Sequence, residues 1–269
     1  MRRAIRYTSV GMQTLPDLLI GYAARRASVR PTRRPGAPTL IELQDTFWNA
    51  GRPASLRRWR ESLPDALVLS CRASRLITHE LDSGVYPKPS AEERARLVDA
   101  GGLRATPVVE QALRQTEATC AALGARAIVF DTPPRFSPTT EHRRRMSDFF
   151  SRIERVPGRL YVWEPHGVWS RGEVESVCRE LALVPCLDPL ADEVMQPVAL
   201  ETVYCRLRAP DYHELQLDQL LQWSEEQAQV VLVFAGPQGE RQARRLAAAA
   251  AGMRAEYDPA EAAEDDSAS

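Results

Sequence analysis

Tyr161–Trp169, YVWEPHGVW, and the CRELALVPCLDPL of Cys178–Leu190 together set the architecture of the chain. Leu160–Glu164 is a dense apolar run ending on a carboxylate, and it reads as a strand. A turn carrying His166 and Trp169 follows. Arg171–Leu181 reads as a helix, and Val184–Asp188 as a second strand that tolerates Pro185. Strand, helix and strand joined by short connections make a parallel βαβ unit.

The same unit recurs on both sides. Downstream come a strand at Glu201–Leu207, a helix at His213–Ser224, a strand at Gln229–Phe234 and an alanine-rich helix at Glu240–Ala251. Upstream, Arg126–Asp131 is a strand stopped by Pro133 and Pro134, and Thr139–Arg152 is a helix. Thr106–Gly124 is a long amphipathic helix with Gly124 as its C-terminal cap. Before it, Leu81–Gly102 is irregular and suits a loop or short helix laid over a site. Asp65–Ala73 and Thr39–Gln44 are strands flanking a short helix at Ala54–Ser62. At the start of the chain, Ala4–Val10 reads as a strand. Leu15, Leu18, Leu19, Tyr22 and Ala23 have helical spacing, so Leu15–Ser28 is predicted to be a helix. Eight strands nearly all separated by helices, in about 250 residues, is the arithmetic of a (β/α)8 barrel forming one α/β domain. It is assigned residues 1–257. An open doubly wound sheet is the alternative, but no G-x-G-x-x-G follows the first strand. Residues 258–269 are acidic, small and polar, and are expected to be a disordered tail.

Composition excludes several classes. The 269 residues are 44% hydrophobic and 26% charged, enough for a large core, and the net charge is −1. That balance argues against nucleic acid or an anionic membrane as a general partner. Lys88 is the only lysine, and the many arginines are scattered rather than gathered on one element. Cys71, Cys120, Cys178, Cys186 and Cys205 are odd in number and form no C-x-x-C pair, which fits buried free thiols in a reducing cytoplasm. MRRAIRYTSVGM lacks the apolar run of a signal peptide. No stretch approaches the ~18 apolar residues of a membrane span. A cytoplasmic protein is expected.

In a barrel of this kind, working residues stand at the C-terminal ends of the strands and just beyond. Those positions here are Glu42, Gln44 and Asp45; Arg72, then Thr78, His79 and Glu80; Asp131; Glu164 and His166; Asp188; and Arg206 and Arg208. Strand alternation puts Leu40, Glu42 and Gln44 on one face, with Ile41 and Leu43 on the other. Three chemistries remain open. Glu42, Glu164, His166 and Asp188 have ligand types suited to a divalent metal, but no tight ligand spacing supports one. Glu42 and Glu164 are candidates for a catalytic acid and base acting on a sugar-like substrate. Arg72, Arg206 and His166 suit a phosphate or carboxylate. Trp48, Trp163 and Trp169 are candidates for stacking on a ring, although aromatics at such positions also serve as core or loop anchors. A Ser/His/Asp triad has no G-x-S-x-G elbow to stand on.

Five segments in order are similar to one family. Ile41–Trp48 (IELQDTFW) resembles V-E-[IV]-N-[ST]-T-F-Y. Ser70–Ala73 with Ile77–His79 resembles K-A-x-x-x-I-T-H. Phe130–Phe136 (FDTPPRF) is similar to Q-x-P-P-x-F. Trp163–Trp169 (WEPHGVW) resembles W-E-P-R-G-x-W, a form of E-x-R-H-x-x-W. Tyr204–Leu207 (YCRL) with Tyr212 resembles Y-x-R-L-H-G…Y. On these motifs the chain resembles the YecE-like family, domain-of-unknown-function family 72, which has a TIM-barrel-like fold. The chain departs from the family pattern at Gln44 (Asn), Arg72 (Lys), Asp131 (Gln), Arg208-Ala209 (His-Gly) and the segment from Phe234 to Gly236 (F-N-N). The first-strand glycine pattern is weak around Ser9 and Gly11. The resemblance implies the barrel and much of its rim, but no substrate.

The expectation is therefore a barrel protein binding a small anionic or sugar-like ligand at its C-terminal rim. Glu42 and Glu164 are its candidate catalytic groups. Arg72, His79, Asp131, His166, Trp169, Asp188, Arg206 and Tyr212 are its candidate binding groups. The reaction, any cofactor and the oligomeric state are left open, as is whether the chain is an enzyme at all. The competing expectation is a non-catalytic interaction protein on a degenerate barrel, in which the same residues hold loops together.

Overall fold

The computed structural model describes residues 17–256, except 31–36, 87, 192–194 and 196–197. Eight strands close a parallel barrel in sequence order: β1 Leu18–Ala24, β2 Leu40–Leu43, β3 Val68–Arg72, β4 Ala127–Thr132, β5 Leu160–Pro165, β6 Val184–Leu187, β7 Thr202–Leu207 and β8 Gln229–Phe234. β8 returns to pair with β1, Leu18 opposite Val230. Among the described residues no helix is long and apolar enough to cross a membrane.

The first strand corrects the sequence reading. The expected strand at Ala4–Val10 and the acidic tail at 258–269 lie outside the described residues. The expected helix at Leu15–Ser28 is, over Leu18–Ala24, strand β1. A nearly continuous apolar run satisfies helical spacing and a doubly buried strand equally well. Here both faces are covered: Leu19 points into the barrel, and Ile20 and Tyr22 pack against the outer layer. Gly21 explains why the run can pair so closely. A Cβ there would collide with the Leu40 carbonyl of β2. The glycine of the first strand is thus Gly21, not a residue near Ser9 or Gly11.

Among the described residues six helices clothe the barrel: α2 Pro53–Glu61, α5 Pro107–Leu123, α6 Thr140–Phe150, α7 Arg171–Glu180, α8 Glu214–Glu225 and α9 Gly239–Glu256. Two short helices sit just past strand ends, α1 Asp45–Trp48 after β2 and α3 Arg75–Thr78 after β3. A seven-residue helix, α4 Ala91–Leu97, lies within the segment expected to be irregular, and Ser90 and Glu93 close a capping box at its start. α5 starts from the Thr106 cap and ends at Gly124 in the left-handed region, as its sequence predicts. Between β1 and β2, the described residues form only a single 3-10 turn, Arg26–Ser28.

The core has two shells. Leu19, Leu40, Ala127, Val129, Val162, Cys186, Tyr204, Val231 and Val233 fill the barrel interior. A larger shell, including Ile41, Leu43, Leu69, Cys71, Ile128, Phe130 and Trp163, lies between barrel and helices. The predicted alternation on β2 is thus observed, with Leu40 inward and Ile41 and Leu43 outward.

Candidate functional site

The period of two that sends Leu40 inward also sends Glu42 inward, one layer higher. The same parity carries Ser70 and Arg72 on β3, Asp131 on β4, Glu164 on β5, and Tyr204 and Arg206 on β7 into the upper barrel. Register then sets neighbours side by side: Glu42 opposite Ser70, and Asp131 opposite Glu164. The barrel is apolar at its floor and charged at its C-terminal end.

These groups form a closed circuit. Gln44 Nε2 donates to Glu42 Oε1 at 2.6 Å, and Arg72 Nη1 donates to Gln44 Oε1 at 3.3 Å. Arg72 also pairs with Asp131 through Nη2. His166 Nε2 lies 3.2 Å from Asp131 Oδ1 and 3.8 Å from Glu164 Oε1. Arg206 closes the ring, with Nη1 on Glu164 and Nη2 on Glu42 Oε1 at 3.0 Å. Tyr204 adds a spoke. Its hydroxyl donates to Glu42 Oε2 at 2.8 Å and lies 3.0 Å from Ser70 Oγ. The Arg208 guanidinium touches Glu164 Oε1, although that oxygen has no well-aligned hydrogen bond.

Charge balance follows from the membership. The carboxylates of Glu42, Asp131 and Glu164 face the guanidinium groups of Arg72, Arg206 and Arg208. Burial alone would raise the Asp131 pKa. The hydrogen bond from His166 and the charges of Arg72, His166 and His79 outweigh burial and hold it well below the usual carboxylate range. Burial lowers the pKa of His79, whose Nδ1 lies 2.8 Å from Thr78 Oγ1. Burial and the neighbouring Glu42 push the Tyr204 phenol well up.

The circuit bears directly on the three chemistries. Glu42 has no exposed surface, and Arg206 bridges it to Glu164. Two carboxylates clamped on one guanidinium are poorly placed to exchange protons with a substrate. Asp131, Glu164 and His166 bring ligand atoms within 4.8 Å of one another, a plausible metal triad by distance. Arginines already contact both carboxylates, however, so a cation would have to displace them.

Beside the ring, on its β1–β2 side, lies a cavity of about 1000 Å³, bounded by the C-terminal ends of β1, β2 and β3, by α1 and the turn after it, and by the turn from β8 into α9. Arg25, Arg26, Gln44, Trp48 and Arg72 line it. Gln44 and Arg72 therefore belong to both ring and cavity. Two acids on the wall are already engaged. Asp45 Oδ2 accepts the Arg26 amide at 2.7 Å, and Glu240 pairs with Arg244 at 2.7 Å.

Of the residues expected at the site, Glu42, Arg72, Asp131, Glu164, His166 and Arg206 come together. His79 borders them, edge-on to Phe47 at 5.1 Å, while the Arg72 guanidinium sits 4.0 Å above the same Phe47 ring. Three lie elsewhere. Trp169 is buried against Phe136 and Trp163, with Arg143 over its ring. Asp188 accepts the Leu190 amide at 3.1 Å and holds the turn after β6. Tyr212 packs on Phe234 and accepts the Ala209 amide at 2.9 Å, and burial pushes its pKa up to about 12. Trp163, weighed as a stacking residue, is fully buried and donates to Thr132 Oγ1 at 3.1 Å. Sequence reasoning gave no site role to Tyr204 and Ser70, although they share the inward parity of Arg206 and Arg72. It missed Arg25 and Arg26 because β1 was read as a helix. Gln44, Arg72, Asp131 and Arg208, four of the departures from the resembled pattern, all belong to this one network.

Comparisons agree with the fold. A DUF72 family protein from Thermotoga maritima superposes with a TM-score of 0.57 at 14% identity, over 88% of this chain and 98% of that one. A DUF72 family protein from Enterococcus faecalis gives 0.54 at 14%, over 86% and 92%. Endonuclease IV from Thermus thermophilus gives 0.50 at 14%, over 89% and 100%. A search of curated proteins finds no match. The family model described as "Protein of unknown function DUF72" matches residues 37–266, which takes in seven of the eight strands and the whole charged ring, and the chain belongs to that family.

Proposed function

We propose that this barrel binds a small anionic ligand in the cavity on the β1–β2 side of its C-terminal rim, with Arg72 as a cationic contact. One observation carries the proposal. Arg72 lines the cavity, and its guanidinium is held there by Asp131, by Gln44 and by the Phe47 ring 4.0 Å away. A guanidinium fixed by its neighbours at a cavity wall is preorganised for phosphate or carboxylate. Arg25 and Arg26 add positive charge to the same wall. The sequence reading placed anion binding on Arg72, Arg206 and His166. The geometry favours Arg72 over Arg206, which is buried and occupied by two carboxylates.

The sugar-like acid/base reading has less support, because Glu42 and Glu164 are both clamped on Arg206. No specific observation favours the interaction-protein reading. The test is a thermal-shift screen of phosphates and carboxylates on the wild type and on Arg25→Gln/Arg26→Gln, a surface variant that spares the ring. A phosphate or carboxylate is expected to raise the wild-type midpoint and to raise the variant's by less. If no anion moves the wild type, the proposal fails.

A further inference from the structure

We infer that the ligand of this cavity carries a planar ring beside its anionic group, in the manner of a nucleoside monophosphate, and that Trp48 is the surface on which the ring stacks. This deepens the anion reading and rests on it. Trp48 lines the cavity and is 55% exposed, among the few large apolar side chains of the described residues left so open. A loop anchor would be buried, as Trp163 and Trp169 are. Trp48 is also held in place. Phe47 meets it edge-on at 5.1 Å, and the Arg75 guanidinium lies 4.7 Å from its ring centroid. Arg75 is fixed in turn by the Tyr86 ring at 4.5 Å and by the Val85 carbonyl at 3.2 Å. An indole backed by a guanidinium and still 55% exposed is a ready stacking platform, because its ordering cost is already met in the free protein.

Volume points the same way. Sites for cofactor-sized and drug-sized molecules occupy roughly 300–1,000 Å³. A cavity of about 1000 Å³ is far larger than bare phosphate or a short carboxylate needs. Cationic Arg25, Arg26 and Arg72 share this one space with the indole, so a single ligand of that size can meet both kinds of group.

The test is calorimetric titration of the full chain with adenosine 5′-monophosphate, ribose 5-phosphate and inorganic phosphate, repeated on Trp48→Ala and Trp48→Phe. The nucleotide is expected to bind roughly 5- to 150-fold more tightly than ribose 5-phosphate. Trp48→Ala should abolish that ratio while leaving ribose 5-phosphate affinity unchanged, and Trp48→Phe should keep most of it. Equal affinity for nucleotide and sugar phosphate, or a preference that survives Trp48→Ala, overturns the ring inference and leaves the anion reading standing. If none of the three binds, the ring inference falls together with the phosphate form of the anion reading.

Discussion

At the scale of single residues, Glu42 separates a catalytic role from a structural one. A carboxylate held for catalysis sits at a cost, and neutralising it leaves stability unchanged or improved. A carboxylate that satisfies buried donors behaves oppositely. Glu42 accepts from Tyr204, Gln44 and Arg206 with no contact to water. Glu42→Gln is therefore expected to lower unfolding free energy by about 2 kcal/mol in a urea titration, within the ~1–3 kcal/mol typical of a buried partner left wanting. An unchanged midpoint would return Glu42 to the list of catalytic candidates. The pH dependence has a definite sign. The Asp131 carboxyl has its pKa depressed in the fold, so its contribution is complete above the unfolded value of about 3.9 and drains away as pH falls through the lower folded value. His79, depressed from 6.5 by burial, acts in the same direction but starts earlier, because below that pH the unfolded chain takes up the proton first. Stability should decline in two stages on acidification. Asp131→Asn should be less stable at neutral pH and should flatten the lower stage. A wild-type profile flat from pH 7 to pH 3 would contradict both assignments.

At the scale of elements, what the sequence reveals depends on how much each segment's pattern excludes. β2 was legible because its polar residues alternate: Leu40, Glu42 and Gln44 can share a face only in a strand. α5 was legible because Thr106, Pro107 and Gly124 mark both its ends. β1 was not. Between Leu18 and Ala24 no polar residue breaks the apolar run, so the run carries no period, and helix and strand fit it alike. The resulting error hid Arg25 and Arg26 from the site, since on a helix they would have turned toward solvent. Gly21 is the residue that resolves the ambiguity, because a helix has no need of glycine there, whereas the β1–β2 approach leaves no room for a Cβ. Gly21→Ala is expected to cost about 1–3 kcal/mol, the range of an overpacked core, since the neighbour that must give way is backbone. Thermal denaturation of this variant beside Gly252→Ala, whose added Cβ meets nothing, checks the strand assignment. Equal midpoints would show that β1 and β2 are not so closely paired.

At the scale of the whole molecule, the helical coat is uneven among the described residues, and the cysteines report on it. α2 and α5 pack on each other over the β2–β4 side. The β1–β2 and β6–β7 connections have no α-helix among the described residues. β6 is also thinly held, pairing with β5 only at Val162–Val184 and Trp163–Pro185, where proline offers no amide. Local opening is easiest where cover and ladder are both sparse. All five thiols are buried, so the native protein should react slowly with a thiol reagent and yield five equivalents in denaturant. The order is the informative part. Cys186, on β6, should open first and at low denaturant dependence, by a local route. Cys71 on β3 and Cys120 on α5 face each other beneath the fullest cover and should react only as fast as the whole barrel unfolds. Mass spectrometry of partially labelled protein reads this order directly. If Cys71 and Cys120 are labelled as early as Cys186, the barrel opens as a single unit and the uneven coat has no mechanical consequence. If Cys186 leads, the β5–β6 edge opens ahead of the β3–α5 side, and the short β6 ladder is the weak seam of the barrel.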